Sequence, residues 1–161
     1  EKMTMSIVFS RIDDRLIHGQ VVTTWANMHR IEQIIILNDK VAGDKTQKNI
    51  LKMSAPQGIK VQAFPVEKFG EIIKKNEITR RTMLLFTTSV DVLRAMNAGI
   101  PIDSLNIGGM RFQEGRQRLS KALAVTDEEK QAFQELLDNK LDITIQMVPN
   151  DEKVNLKEVI Q

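Results

Sequence analysis

The chain has 161 residues, 42% hydrophobic and 27% charged, with 23 basic against 21 acidic side chains and no cysteine; the length predicts one domain, 1–161, with a real core. Disulfides, thiolate nucleophiles, iron–sulfur clusters and Cys-ligated zinc are excluded, and two histidines are too few for a zinc site without carboxylates. A net charge of +2 and 4% aromatics argue against a nucleic-acid partner, and with no apolar run of ~18 residues and no leader pattern a soluble cytoplasmic domain is expected.

Short apolar runs alternate with amphipathic stretches. Met5 to Ile12, rich in β-branched and aromatic residues, predicts a strand. A charged loop, 13–19, leads into a helix from Gln20 to about Met28, with Val21, Val22, Trp25, Ala26 and Met28 at approximately helical spacing. The run Gln33–Asp39 is continuously apolar at its centre, the mark of a strand buried on both faces of a parallel sheet. Asp44 caps a helix over 45–55 that carries Ile50 and Leu51 inward, a strand follows at 59–64, and Pro65 opens a helix carrying Val66, Phe69, Ile72 and Ile73 inward. Residues 82–87 predict a fourth strand, Ser89 a helix cap, and 104–107 a short fifth strand closed by Gly108-Gly109.

The polar segment after Met110 breaks this rhythm. Lys121–Val125 reads as a short edge strand, and Thr126 with Glu129 forms a capping-box signature for a helix burying Phe133, Leu136 and Leu137. A last strand at 142–148 alternates as if half exposed, which would allow a homodimer, and a short helix closes the chain at 156–160. The fold class that follows is α/β: an open, mostly parallel twisted sheet with helices on both faces and an antiparallel edge, in one domain. Ligands of such sheets sit beyond the carboxyl ends of the strands, which directs attention to the loops at 10–19, 38–43, 64–65, 87–89 and 108–115.

The first of these loops concentrates chemistry. Ser10 to Gln20 places Arg11, Asp13, Asp14, Arg15 and His18 between a strand and a helix. A neutral imidazole is a competent nucleophile toward phosphorus. Gly19 lets a bulky group approach the backbone, and free N–H groups at a helix start favour anions. The forks of Arg11 and Arg15 suit phosphoryl oxygens, while Asp13 or Asp14 would hold an arginine or fix the imidazole tautomer. Thr87, Thr88 and Ser89 carry hydroxyls that suit a phosphate, and Gly108 and Gly109 would allow close backbone approach. The bland alternatives are a salt-bridge network, a helix cap at Ser89 and a plain glycine turn. Trp25 suits the core or an interface, and His29, near a helix end, suits the dipole there. Nucleotide-binding glycine loops and the hydrolase elbow are missing.

Arg11-Ile12-Asp13-Asp14-Arg15-Leu16-Ile17-His18-Gly19-Gln20-Val21 resembles the R-[IV]-D-x-R-[LI]-[IV]-H-G-Q-V signature of the IIB domain of mannose/fructose/sorbose-type sugar phosphotransferase systems. Asn38-Asp39, Thr87-Thr88 and Asn106-Ile107-Gly108-Gly109 extend the likeness along essentially the whole chain. The resemblance implies a phosphocarrier whose His18 takes a phosphoryl group on Nδ1 from a IIA histidine and passes it to a sugar delivered by membrane components IIC and IID. It implies Arg11 and Arg15 as phosphate-stabilising arginines and Asp13 as the carboxylate that orders the loop. Gly19, Gln20, Thr87, Thr88, Ser89, Gly108 and Gly109 are the expected phosphate-binding set, with no metal and no cofactor, and with membrane association only through partners. The sugar stays open among mannose, fructose, sorbose and N-acetylgalactosamine or another amino sugar. A degenerate binding module of the same fold, and an unrelated small-molecule enzyme on a flavodoxin-like sheet, are the alternatives.

Overall fold

The computed structural model describes residues 6–160. Strands β1 (Ile7–Asp13), β2 (Gln33–Leu37), β3 (Lys60–Phe64), β4 (Thr82–Phe86), β5 (Ser104–Gly109), β8 (Asp142–Ile145) and β9 (Val154–Asn155) form one sheet in the order β3-β2-β4-β1-β5-β8-β9. Every pairing is parallel except β8 with β9 at the edge. A separate antiparallel pair, β6 (Gln117–Ser120) and β7 (Leu123–Val125), stands beyond the end of β5. The expected edge strand at 121–125 is therefore half of a hairpin outside the main sheet; its partner, the polar run 117–120, carries no alternation that sequence could reveal.

The side-chain period of two divides the core. Ile35, Leu37, Leu84, Phe86 and Ile107 point to one face, where α4 (Val66–Lys75), α5 (Ser89–Asn97) and α6 (Asp127–Asp138) lay Phe69, Val92 and Phe133. Ile34, Ile36, Met83 and Leu85 point to the other, covered by Val22 and Ala26 of α1 (Gly19–His29) and Leu51 of α3 (Lys45–Met53). Burial on both faces explains the unbroken apolar runs of β2 and β4, and each such side chain contributes about 1.5–3 kcal/mol. Connections running toward β3 use one face and those running toward β8 use the other, as right-handed crossovers demand.

The capping box holds as expected: Thr126 accepts from the Glu129 N–H and Glu129 accepts from the Thr126 N–H. Asp44 caps α3. Several boundaries differ. A four-residue helix, α2 (Asp39–Ala42), capped by Asn38, follows β2 and was not foreseen. The N-cap of α5 is Thr88 rather than Ser89. Gly108 and Gly109 lie inside β5, not in a turn after it. The strand at 142 stops at Ile145, and the closing helix is a single 3-10 turn, Leu156–Glu158. Met5, expected to open β1, lies outside the described residues. No helix among the described residues is long and apolar enough to cross a membrane.

Candidate functional site

The position of the site follows from the topology. Strand β1 sends its helix, α1, to one face, whereas its neighbours β4 and β5 lead to helices on the other. Backbone leaves in opposite directions, and a crevice opens at the carboxyl end of β1. The loop 13–18 fills that position.

Asp13 shapes this loop. Its carbonyl accepts from the Leu16 N–H at 2.8 Å, closing a tight turn, and its Oδ1 accepts from the Arg15 N–H at 3.0 Å. Leu16 takes a left-handed backbone, φ 61°, which side-chain-bearing residues rarely adopt. Burial of Leu16 and Ile17 in the core beneath α1 offsets that cost and pins the loop from below. His18 then sits at the N-cap of α1 in extended conformation, its side chain not bonded to the helix end.

The Asp13 carboxylate is 1% exposed and gathers three cationic or ring partners. Oδ2 lies 2.9 Å from His18 Nε2 and 3.1 Å from an Arg11 terminal nitrogen; Oδ1 lies 3.4 Å from Arg15 Nε. Burial pushes the carboxyl toward neutrality, but the bonds from His18 and the Arg15 N–H and the charge of Arg11 outweigh it and hold it below its ordinary value. An ionised Asp13 has no proton to give, so the proton of the Asp13–His18 bond belongs to Nε2 of the ring. In the neutral ring Nδ1 is then left with its lone pair.

The residues expected to bind phosphate separate into two groups. The Arg15 side chain, a third exposed, meets Asp13 only through Nε. Gly19 and Gln20 open α1, where first-turn N–H groups have no intrahelical acceptor, no side chain caps them and no acid stands in the turn. Gly19 has φ 51° and open space where a Cβ would be. Arg15 on the shared carboxylate and the free N–H groups after His18 make this end of α1 favourable to an anion.

The others are engaged elsewhere. Arg11 is buried, with its terminal nitrogens turned to Asp13, Asn106 and the Gln146 carbonyl, so it faces the carboxylate rather than the crevice. Burial lowers its pKa from the ordinary value and Asp13 opposes the fall; a guanidinium stays charged regardless. Ser89 is fully buried and donates to the Glu129 carbonyl at 2.7 Å, and Thr88 donates to the Glu129 carboxylate at 2.9 Å. Their hydroxyls join α5 to α6 rather than standing free toward the crevice. Thr87 accepts from Asn38 Nδ2 at 3.0 Å, bridging the ends of β4 and β2. Gly108 faces Arg11, not an open site. The Gly109 carbonyl accepts from the Asp14 N–H at 3.2 Å.

Two features lay beyond sequence reasoning. Asp14 receives Arg111 through its N–H and Nε and Arg116 at 3.3 Å, tying the 110–116 segment to the loop. Arg116 also forks onto Glu129 at 3.0 and 2.8 Å, so the α6 cap and the His18 loop share one ion network. Asp14, Arg116 and Glu129 each stand among other charges, and their separation along the chain hid the pairing. Trp25 is core, as expected, and donates to the Met147 carbonyl at 2.8 Å. His29 stacks on Phe9 at 4.2 Å; burial first, and Arg81 second, push its pKa down, which disfavours the cation its helix-end position suggested. Among the described residues no group of three or more His, Asp or Glu could hold a metal ion.

Residues 7–161 match the model of the sorbose subfamily IIB component of the phosphotransferase system. The chain belongs to this family. The fructose-specific EIIB component of Bacillus subtilis is 34% identical over 98% of this chain and 97% of its own. The mannose-specific EIIAB component of Escherichia coli is 35% identical over 97% of this chain, which spans 49% of that longer protein. The crystal structure of the sorbose permease IIB domain of Klebsiella pneumoniae superposes with a TM-score of 0.86 at 37% identity, covering 94% of each chain. The fold class and the family foreseen from the 11–21 motif are thus those of the protein, a phosphotransferase IIB component of the mannose class.

Proposed function

We propose that His18 is the phosphoryl-carrying residue of this IIB component, accepting from a IIA histidine and donating to a sugar translocated by IIC and IID. One observation carries the reading: at the N-cap of α1, His18 Nε2 is bound at 2.9 Å to a buried, ionised carboxylate that Arg15 shares, which leaves Nδ1 of the neutral ring with its lone pair.

In the first step the Nδ1 lone pair attacks phosphorus. The donor's N–P bond breaks and its electron pair returns to the donor imidazole. His18 keeps the Nε2 proton, so the phosphorylated ring carries positive charge, which Asp13 stabilises at hydrogen-bond distance. Arg15 and the N–H groups of Gly19 and Gln20 receive the phosphoryl oxygens. In the second step a sugar hydroxyl attacks phosphorus, the N–P electron pair returns to Nδ1, and the hydroxyl proton leaves to a base or to the departing imidazole. A histidine-to-histidine transfer is nearly balanced in free energy, so positioning and charge neutralisation suffice.

The EIIAB architecture of the mannose relative, with A and B parts in one chain, supports a IIA domain as donor. The relatives carry fructose, mannose and sorbose in their names, so the sugar is a property to be read from the membrane partners. The test is reconstitution: vesicles holding the matched IIC and IID, supplied with this protein and phosphorylated IIA, should accumulate sugar phosphate. Accumulation that survives omission of this protein, or its His18→Ala variant, would remove the proposal.

A further inference from the structure

By its place in the motif Arg11 belongs with the arginines that meet phosphate. Its surroundings give it a different task. The guanidinium is 2% exposed and enclosed on every side that matters. One terminal nitrogen bonds Asn106 Oδ1 and, at 3.3 Å, the Gln146 carbonyl; the other bonds Asp13 Oδ2 at 3.1 Å. The Trp25 ring lies 5.5 Å from its central carbon. Asn106 is itself held, donating to the same Gln146 carbonyl at 3.1 Å.

The space for this group exists because Gly108 has no side chain. A Cβ there would stand 2.0 Å from Arg11 Nη2 and 2.3 Å from its central carbon. The β1–β5 register slips at this point: Ile12 pairs with Ile107 but Asp13 with Gly109, so Gly108 is the residue passed over. A guanidinium is the far end of a long side chain and would ordinarily swing aside. Here it is enclosed by β5, Gln146 and Trp25, and the way out leads away from Asp13.

We propose that Gly108 and Asn106 are positioning residues of the phosphoryl-transfer site: they seat Arg11 so that it fixes the Asp13 carboxylate and, through it, the His18 tautomer that leaves Nδ1 with its lone pair. The inference deepens the His18 reading and rests on it for its functional consequence. The physical content is the sharing of one oxygen. Asp13 Oδ2 takes both Arg11 and His18, so the direction in which it meets the ring is set from behind by a group that cannot move. With Arg11 displaced, the carboxylate is free to turn toward Arg15, and the imidazole is free to carry its proton on either nitrogen.

The experiment reads the His18 ring by ¹⁵N NMR in the unphosphorylated protein, alongside the rate of phosphoryl transfer from phosphorylated IIA. Wild type is expected to show the Nε2–H tautomer. Gly108→Ala should fold, show a mixture of tautomers and transfer at least tenfold more slowly. Asn106→Ala, which empties the seat rather than crowding it, should move both readings in the same direction by less, and it serves if Gly108→Ala does not fold. Lysine lacks the fork atoms that a Cβ would meet, so adding Arg11→Lys to Gly108→Ala should recover part of the Nε2–H signal. A folded Gly108→Ala, or in its stead Asn106→Ala, with the wild-type tautomer and full transfer rate overturns the proposal, as does a wild-type ring protonated on Nδ1. A wild-type protein that shows the Nε2–H tautomer yet accepts no phosphate from IIA leaves the positioning standing and overturns the transfer function instead.

Discussion

Two ion clusters in this molecule mirror one another. In one, a single acid, Asp13, meets Arg11, Arg15 and His18. In the other, a single base, Arg94, meets Asp39 at 2.9 Å, Glu67 at 2.5 Å and Asp91 at 3.1 Å. Both lie at the loop end of the sheet, and both look alike as lists of charges. Their surroundings differ. Asp13 and Arg11 are cut off from solvent, whereas Asp39 and Glu67 are more than half exposed and Arg94 a third. Water and salt screen the second cluster, and exposed pairs contribute typically 0.2–1 kcal/mol each. In the first, Arg11 and Asp13 are both buried, and the loss of either leaves the other buried and unpaired. Burial, not the number of charges, makes one cluster a positioning device and the other a surface fastening.

That contrast is open to attack by substitution. The largest effect belongs to Asp13→Asn, which leaves the Arg11 charge uncompensated and the His18 tautomer unset. Phosphoryl transfer should fall on the order of 100-fold or more, and urea unfolding should show a loss of about 3 kcal/mol at neutral pH. Because the folded-state carboxyl titrates below its ordinary value, its stabilisation is present above about pH 4 and is lost as pH falls through the folded value. The variant should therefore approach wild type only under strong acid.

Arg15→Lys comes next. A point charge replaces the fork, and transfer should slow by about tenfold with stability unchanged within about 0.5 kcal/mol. A full-rate Arg15→Lys would reduce Arg15 to a loop fastener like Arg94.

Within the exposed cluster Asp91 is the exception, because it is turned inward. Burial raises its pKa to about 6, with Arg94 opposing the rise. The unfolded chain loses this proton near pH 4 and the folded chain near pH 6, so the cost of ionising it grows across that window and persists above it. Asp91→Asn should gain roughly 2–3 kcal/mol at pH 7, the equivalent of that shift, and nothing at pH 3.5. A gain independent of pH would contradict the assignment. Glu67→Gln should be the smallest effect, below about 0.5 kcal/mol and smaller still in high salt.

The same contrast explains what the amino-acid sequence made legible. Asp13, Arg15, His18 and Gly19 lie within one turn and one helix start, so their juxtaposition could be read from the sequence, while the choice of Asp13 over Asp14 came from the family resemblance. The unbroken apolar runs of β2 and β4 and the Thr126–Glu129 box were equally local. Arg11 was readable as an arginine of the motif but not as a buried one, because its seat at Gly108 and Asn106 is contributed by β5. Nothing in a Gly-Gly pair distinguishes a turn from a slot for a guanidinium. The partner of Ser89 was hidden for a related reason: the carbonyl that accepts from its hydroxyl belongs to α6. Hairpin β6–β7 escaped because its first strand is short, polar and exposed along its first half.

The most direct measurement of the central claim is acid-labile phosphate after incubation with phosphorylated IIA, located by mass spectrometry under alkaline conditions. The account predicts one phosphoryl group, on His18 through Nδ1, absent from His18→Ala and discharged when IIC, IID and their sugar are supplied. A label on His29 or any other residue, or none in a protein that folds normally, would contradict it.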